Sequence, residues 1–246
     1  MSRILTWIIL VLLVLFTSCG KDELTQPTKV SFEIELISHE ESSDQKSGAP
    51  PHQRPFTGPF NKLIIDRGTL VIESISFEGR RDEGRDVFFT TDLKDPVIAD
   101  LKTGGINQEL IFDIPQGVYN QIDLFIDLGS EEMTPLVLEG RIRNRQSEEI
   151  TVRFEYNFRE WIRIRAEPGN KGNRIVLKKD DLSRARIVFD AGSAFQFVNL
   201  QALGAASIAI SVTDDQELLI ISDKINANIF NSVANRLEKS FRVVFD

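Results

Sequence analysis

Apolar and polar residues alternate over many short segments of this chain, beginning with Val30, Phe32, Ile34 and Leu36. Residues two apart lie on the same face of a strand, so this alternation predicts strands with one buried face. Similar patterns predict further strands at 63–65, 70–77, 87–89, 97–101, 110–114, 118–128, 136–142, 150–158, 161–166, 174–177, 186–189, 207–212 and 218–221. Many short strands with turn residues between them predict an all-β fold, and specifically an antiparallel β-sandwich over residues 30–190.

The C-terminal segment, residues 191–246, has a different pattern near its end. Apolar residues recur there at a spacing of three to four, at Ile229, Phe230, Val233, Ala234 and Leu237. This spacing predicts one amphipathic helix over residues 226–239, capped by an Asn or Ser side chain. Alternation at residues 241, 243 and 245 predicts a last strand that docks in a sheet. The segment either forms a small separate unit or packs on the sandwich.

Residues 38–62 interrupt the strand pattern. They contain few apolar residues and four prolines, Pro50, Pro51, Pro55 and Pro59. Such a composition predicts a long flexible loop within the sandwich.

The first residues have the pattern of a processing signal. Residues 4–16 are almost all apolar, but thirteen residues at about 1.5 Å each span only about 20 Å, short of the ~30 Å hydrocarbon core of a bilayer. The pattern therefore predicts a cleaved signal peptide over residues 1–18. Thr17 and Ser18 precede Cys19, the only cysteine in the chain, as in a lipoprotein signal, in which the cysteine is acylated and becomes the first mature residue. The alternative is an ordinary secretory signal with a chance cysteine.

Residues 19–29 are mostly polar and are predicted to form a tether between the lipid and the folded domain. Lys21, Asp22 and Glu23 directly after the cysteine resemble the surface-export signal of Bacteroidota-type lipoproteins. This resemblance implies an outer-membrane protein on the cell surface, with the periplasmic leaflet as the alternative.

Three short motifs within residues 30–190 resemble one protein family. They are Ala99-Asp100-Leu101, the turn Ile114-Pro115-Gln116-Gly117-Val118-Tyr119, and Phe189-Asp190. Together they resemble a family of Bacteroidota-type surface lipoproteins of unknown function with a prealbumin/immunoglobulin-like β-sandwich. The match departs from the family at Ile114, where a leucine is usual. The resemblance implies an antiparallel sandwich at the cell surface and supplies no catalytic residues.

Composition narrows the chemistry. A net charge of −8 argues against a general nucleic-acid binder, which needs a basic surface. The two histidines, His39 and His52, lie in or beside the predicted loop, where no nucleophile accompanies them, so they are expected to be solvated. The pattern predicts no bound cofactor or metal.

Acidic residues leave two chemical alternatives open. Asp123 and Asp127 share one face of a predicted strand about 13 Å apart, too far for direct partnership within that strand. Calcium ligands are the other alternative, at Asp180-Asp181, at Asp214-Asp215, and at Asp127 with Glu131-Glu132, none of which follows a recognised loop spacing.

One group of basic residues suggests a ligand surface. Outward positions of three consecutive predicted strands carry six arginines and a tryptophan: Arg141, Arg143, Arg145, Arg153, Trp161, Arg163 and Arg165. If the three strands form a meander, these side chains share one face, and guanidinium groups bind carboxylate or sulfate bidentately. The hypothesis is a docking surface for an anionic glycan or a surface protein. The alternatives are a solvated face, cross-strand pairs with Glu155 and Glu160, or cover by the C-terminal segment.

These observations predict an exported, lipid-anchored cell-surface protein that acts as a non-catalytic binding or accessory module. The alternative is a structural or adhesin-like subunit. A carboxylate-based glycan hydrolase is the third interpretation.

Overall fold

The computed structural model describes residues 26–37, 63–143, 149–169, 172–179, 182–199 and 217–246, together with 203, 206 and 209–210. The predicted signal peptide, Cys19, loop 38–62, both histidines and Arg145 lie outside these residues, as do the acidic pairs at 180–181 and 214–215. No helix within the described ranges is long and apolar enough to cross a membrane.

The described residues are mostly β-strand, which confirms the all-β prediction. The strands are β1 (Pro27–Ile37), β2 (Leu63–Arg81), β3 (Val87–Asp100), β4 (Gly105–Ile106), β5 (Leu110–Pro115), β6 (Gly117–Leu128), β7 (Leu136–Arg143), β8 (Glu149–Tyr156), β9 (Glu160–Pro168), β10 (Ile175–Leu177), β11 (Ser183–Asp190), β12 (Ala209–Ile210), β13 (Glu217–Ile221) and β14 (Phe241–Phe245). The helices are α1 (Ala191–Phe195) and α2 (Ala227–Ala234), followed by a 3-10 helix, Glu238–Ser240.

The middle of the sheet is a long ribbon, three strands wide, made of β3, β2 and, one after the other, β7 and β6. One edge of β2 pairs first with β7, over residues 63–70, and then with β6, over residues 72–81. β8 in turn pairs with β7, and β9 pairs with β6. β8 and β9 therefore follow one another along the same side of the ribbon, and β3 covers the other edge of β2.

The remaining strands make the sheet mixed, which corrects the prediction of a purely antiparallel arrangement. β9 continues beyond β6 to pair with β14, and the order then runs β14-β11-β1-β5. The pairs β1–β11, β9–β14 and β8–β13 are parallel. Each parallel pair joins strands that are far apart along the chain, as parallel pairing requires a long crossover. The alternation of apolar residues along a strand shows which of its faces is buried. It does not show which strand pairs with it or in which direction, so the parallel pairs were missed.

The buried apolar side chains of the described residues form one hydrophobic core on the inner side of this sheet. The ring centre of Phe89 of β3 lies 6.0 Å from that of Phe112 of β5, although β5 ends the order described above and β3 pairs with β2 in its middle. Phe32 of β1 contacts Phe112 and Phe245 at ring distances of 5.4 and 6.1 Å. Rings from β1, β3, β5 and β14 thus meet in the same interior.

The C-terminal segment joins the same sheet. β13 pairs with β8, and β14 lies between β11 and β9, so the predicted last strand docks in the sheet. The amphipathic helix α2 packs Phe230 against Phe154 of β8 at a ring distance of 5.6 Å.

The predicted ends of this helix need correction. α2 ends at Ala234, and the chain continues through tighter i to i−3 hydrogen bonds to Ser240. Asn226 does not cap it with its side chain; the backbone of Asn226 is left-handed, with φ 58°, and its side-chain amide donates to the Ile220 carbonyl. The short helix α1 was not predicted, because five residues carry no helical period.

Several strand boundaries also differ. β2 joins the strands predicted at 63–65 and 70–77, and β3 joins those predicted at 87–89 and 97–101. β1 begins at Pro27, so residues 27–29, predicted as the end of the tether, pair with β5. β8 ends at Tyr156, so Phe158, the last residue of the strand predicted at 150–158, lies outside the strand and is exposed.

Candidate binding surface

The structure does not bring the predicted arginine surface together. β8 and β9 are successive segments along one side of the ribbon and are not hydrogen-bonded neighbours, so the expected three-strand meander is wrong. Arg141 and Arg153 lie on β7 and β8, whereas Trp161, Arg163 and Arg165 lie on β9. Arg143 ends β7, and its side chain is outside the described part, as is the whole of Arg145.

The arginines of β7 and β8 are paired with carboxylates. Arg141 Nη1 lies 3.0 Å from Asp66 Oδ2, and its Nε lies 3.6 Å from Glu149. Arg153 contacts Glu155 at 2.7 Å and Glu139 at 3.3 Å. The contacts with Asp66, Glu149 and Glu139 join neighbouring strands, in line with the alternative of cross-strand pairs. Of the two partners named for that alternative, Glu155 binds Arg153 within β8, and Glu160 is hydrogen-bonded by Tyr156. These contacts remove the surplus positive charge.

A different surface forms on β3, β2, β6 and β9. Phe88 of β3, Phe125 of β6 and Trp161 of β9 lie on its outer side, and Phe88 and Trp161 are 63% and 55% exposed. Arg163 and Arg165 project from the same side of β9. We call this surface the aromatic face. The ordinary strand alternation produces it, because residues two apart share a side.

The register fixes where each side chain lies on the aromatic face. Trp161 is opposite Asp127, Arg163 is opposite Phe125, and Arg165 is opposite Asp123 in the β6–β9 pair. Across the β2–β6 pair, Ser76 is opposite Phe125 and Glu78 is opposite Asp123. Phe88 lies beyond Glu78 on β3.

Asp123 is the residue that holds the arginines of this face in place. It is only 1% exposed, and two arginines bind its two oxygens: Arg163 Nη2 at 2.9 Å from Oδ2 and Arg165 Nε at 3.1 Å from Oδ1. Gln121 also donates to Oδ2. Burial acts to raise the pKa of Asp123, but the hydrogen bonds from Arg163, Arg165 and Gln121 outweigh it and hold the pKa below its ordinary value. Asp123 is therefore a structural anion that positions both guanidinium groups.

The aromatic rings are also held in place. The guanidinium carbon of Arg163 lies 5.6 Å above the centre of the Phe125 ring, a cation–π arrangement. Ser76 and Thr90 hydrogen-bond to each other at 2.8 Å between Phe88 and Phe125. The face thus combines exposed rings with polar side chains in defined positions.

Asp127 is not organised as a catalytic partner of Asp123. Burial raises its pKa, so the two carboxyl groups differ in the direction of their pKa shifts. They are four residues apart on β6, about 13 Å in a strand, whereas glycosidase carboxylates lie about 5–9.5 Å apart. Arg163 and Arg165 also bind both carboxylate oxygens of Asp123. This pair does not have the geometry of a hydrolase site.

Metal ligands do not cluster in the residues that the structure describes. No group of three His, Cys, Asp or Glu side chains there could hold an ion, and this includes Asp127, Glu131 and Glu132.

The sequence contained an unused signal for the aromatic face. In β6 the inward positions after Tyr119 are aliphatic, and Phe125 is the one outward aromatic residue, between Asp123 and Asp127. Residues 87–89 read Val-Phe-Phe, so one of the two phenylalanines had to face outward. The partners of these positions lie on other strands, which is why the pattern alone did not assemble the face.

The family motifs occupy structural positions. Tyr119 is fully buried and donates its hydroxyl hydrogen to the Pro115 carbonyl, Asp100 accepts backbone hydrogen bonds from Lys102 and Thr103, and Asp190 accepts one from Ser193 at the start of α1. No family model, curated protein or solved structure matches this chain. The family resemblance therefore stays a prediction.

Proposed function

We propose that this chain is an exported, lipid-anchored cell-surface protein that binds a ligand through the aromatic face of a β-sandwich. The observation that carries the proposal is the exposure of Phe88 and Trp161 on one sheet surface, beside arginines fixed by a buried carboxylate. Large exposed rings on a rigid sheet cost solvation free energy, and a ligand that covers them recovers it.

The sandwich architecture is supported by the shared interior. Phe89 and Phe112 come from strands at distant positions in the sheet order and still pack together. A sheet that bends at β9, where one strand pairs with both β6 and β14, brings its two halves face to face.

Export and anchoring rest on the leader and Cys19. The short apolar leader ends at Cys19, the only cysteine in the chain, which therefore has no disulfide partner within it. Acylation is the role that this position supports. Lys21, Asp22 and Glu23 favour the outer surface over the periplasmic leaflet.

A structural or adhesin-like subunit is the second candidate, and the edge strand β5 favours it. β5 ends the sheet order, pairs only with β1 among the described strands, and exposes Ile111. An uncovered strand edge can accept a strand from another chain. Sedimentation of the full chain in detergent would then show concentration-dependent oligomers.

The anchor is tested by labelling cells with radioactive palmitate. We expect the label on the wild-type chain and on a Ser18→Ala variant, which keeps a small residue before the cysteine. Cys19→Ala should lose the label and leave the membrane fraction. An unlabelled, uncleaved wild-type chain would contradict the proposed anchoring.

The binding role is tested with the full chain purified in detergent. The chain is applied to an array of neutral glycans, acidic glycans and extracellular proteins, beside the Trp161→Ala variant. Binding to any of these classes that is lost in Trp161→Ala supports the proposal. A folded wild-type chain that binds nothing on the array contradicts it.

A further inference from the structure

The aromatic face has no surplus of positive charge. The ionisable side chains of its described paired positions are Arg80, Arg163, Arg165, Glu78, Asp123 and Asp127. Glu167 lies on the same side of β9, and Glu238 interacts electrostatically with Arg163, so two more carboxylates add negative charge. The two arginines nearest the exposed tryptophan already share Asp123, and Glu78 lies directly opposite that aspartate. An anionic ligand would find no unopposed positive charge here, and it would approach a chain of net charge −8. The lack of surplus positive charge among these side chains favours an uncharged ligand over an anionic one.

The rings are spaced to contact separate parts of an extended ligand. Trp161 and Phe125 are diagonal neighbours across the β6–β9 pair, with backbones about 7–8 Å apart. Phe88 is two strands and two residues from Phe125, about 12 Å away in a regular sheet. A ligand that satisfies all three positions is elongated and presents repeated flat apolar surfaces.

The polar groups suit hydroxyl groups. A guanidinium carries five N–H donors. Arg163 and Arg165 each use one of these in their contact with Asp123, which leaves four on each side chain for other acceptors. Both side chains are about half exposed although their shared anion is buried. Their positions are fixed before a ligand arrives, which lowers the entropic cost of binding.

From these observations we infer that the aromatic face binds a neutral glycan, an inference that rests on the proposed binding function. A sugar ring stacks on the exposed Trp161, and its hydroxyl oxygens accept hydrogen bonds from Arg163 and Arg165. Neighbouring sugar units reach Phe125 and Phe88. A neutral glycan supplies flat C–H surfaces, hydroxyl acceptors and no net charge, and these are the three properties that the face selects.

The inference changes the ligand class expected from the arginine pattern. That expectation of an anionic glycan assumed six arginines on one surface, but each of the four whose side chains are described has a carboxylate partner.

The test is affinity electrophoresis of the full chain in detergent. Native gels contain one of three neutral polysaccharides (galactomannan, xyloglucan or amylopectin) or one of two anionic ones (polygalacturonate or dextran sulfate). We expect retardation by at least one neutral polysaccharide and a loss of affinity of about tenfold or more in Trp161→Ala. The matched control is Phe197→Ala, which removes an aromatic side chain that is 67% exposed outside the aromatic face. It should migrate as the wild type does.

A second pair of variants tests the arginines. Arg163→Ala should weaken retardation in the same neutral gel, whereas Arg153→Ala, an ion-paired arginine on β8, should not. Circular dichroism of each variant shows that the fold is retained, so that a loss reports on binding.

Three outcomes overturn the inference. Retardation by the anionic polysaccharides alone overturns the neutral class and leaves the binding role intact. Retardation that is unaffected by Trp161→Ala moves the glycan site away from this face. No retardation in any gel overturns glycan binding, and the array proteins then decide whether the proposed binding role stands.

Discussion

At the scale of single residues, the turn around Tyr119 shows how one motif stabilises the sheet. The phenol donates to the Pro115 carbonyl four residues earlier, and the ring lies over Gly79 of β2. A Cβ at position 79 would lie 2.5 Å from Tyr119 Cε1, so the ring needs the glycine. Burial raises the pKa of Tyr119 to about 12, which keeps the hydroxyl protonated and able to donate at neutral pH. The most specific part of the family resemblance is thus a packing motif.

Asp123 is the residue at which stability and the candidate site meet. Asp123→Asn removes the charge that both Arg163 and Arg165 bind, so we expect it to cost about 1–3 kcal/mol of unfolding free energy at neutral pH. The lower part of the range is expected because both arginines are about half exposed and water screens them. Urea unfolding of both proteins measures the difference.

The same substitution has a predicted pH dependence. The pKa of Asp123 is lower in the folded state than in the unfolded state, so its stabilising contribution is present above the unfolded pKa of about 3.9. It is lost as the pH falls through the folded pKa. The difference between wild type and Asp123→Asn should therefore shrink in strongly acidic solution, and an unchanged difference would show that Asp123 does not act through its charge.

At the scale of elements, the alternation of apolar residues predicted the strands but not their partners. Val30 to Leu36 and Phe241 to Phe245 were correctly placed as strands, because a half-buried strand reveals itself locally. Nothing local indicated that β8 and β9 lie end to end. Only three residues separate them, a length that is also typical of a hairpin turn. They lie end to end because their partners, β7 and β6, are themselves separate strands joined by residues 129–135. The prediction that the arginines share one surface was wrong for that reason.

Gly140 of β7 marks a position where the backbones of β2 and β7 approach closely. A Cβ on Gly140 would lie 1.9 Å from the Ile64 carbonyl oxygen, so Gly140→Ala must displace the backbone of β2. We expect a loss of several kcal/mol of unfolding free energy or failure to fold, measured by urea unfolding. Gly105→Ala is the matched control: its Cβ would meet only the Thr103 hydroxyl, at 3.1 Å, and the change should cost less than about 1 kcal/mol. Equal effects of the two variants would contradict the close approach.

At the scale of the whole molecule, the sheet depends on pairings between distant parts of the chain. β1 lies between β5 and β11, and β14 lies between β11 and β9. The sequence predicted an all-β molecule because alternation shows which residues of each strand are buried, and it left open whether residues 191–246 share the same interior. It could not predict the parallel pairs, which join strands that are far apart in the chain. It could not predict the aromatic face for the same reason, because Phe88 and Trp161 are distant in sequence.

The position of β14 leads to a prediction about cooperativity. A chain that stops at Ser240 lacks the strand that joins β11 to β9, and it also loses Phe241, Val243 and Phe245 from the core. We expect this truncation to abolish a cooperative thermal transition, because no other pairing among the described strands then links the β11-β1-β5 group to β9. Removal of Asp246 alone is the control: it deletes the ion pair with Arg186, at 2.9 Å, and leaves β14 complete. That pair is partly exposed, so its loss should cost about 1 kcal/mol or less. A cooperative transition near the wild-type temperature in the longer truncation would show that β14 is dispensable and that the two groups of strands are held together by other contacts.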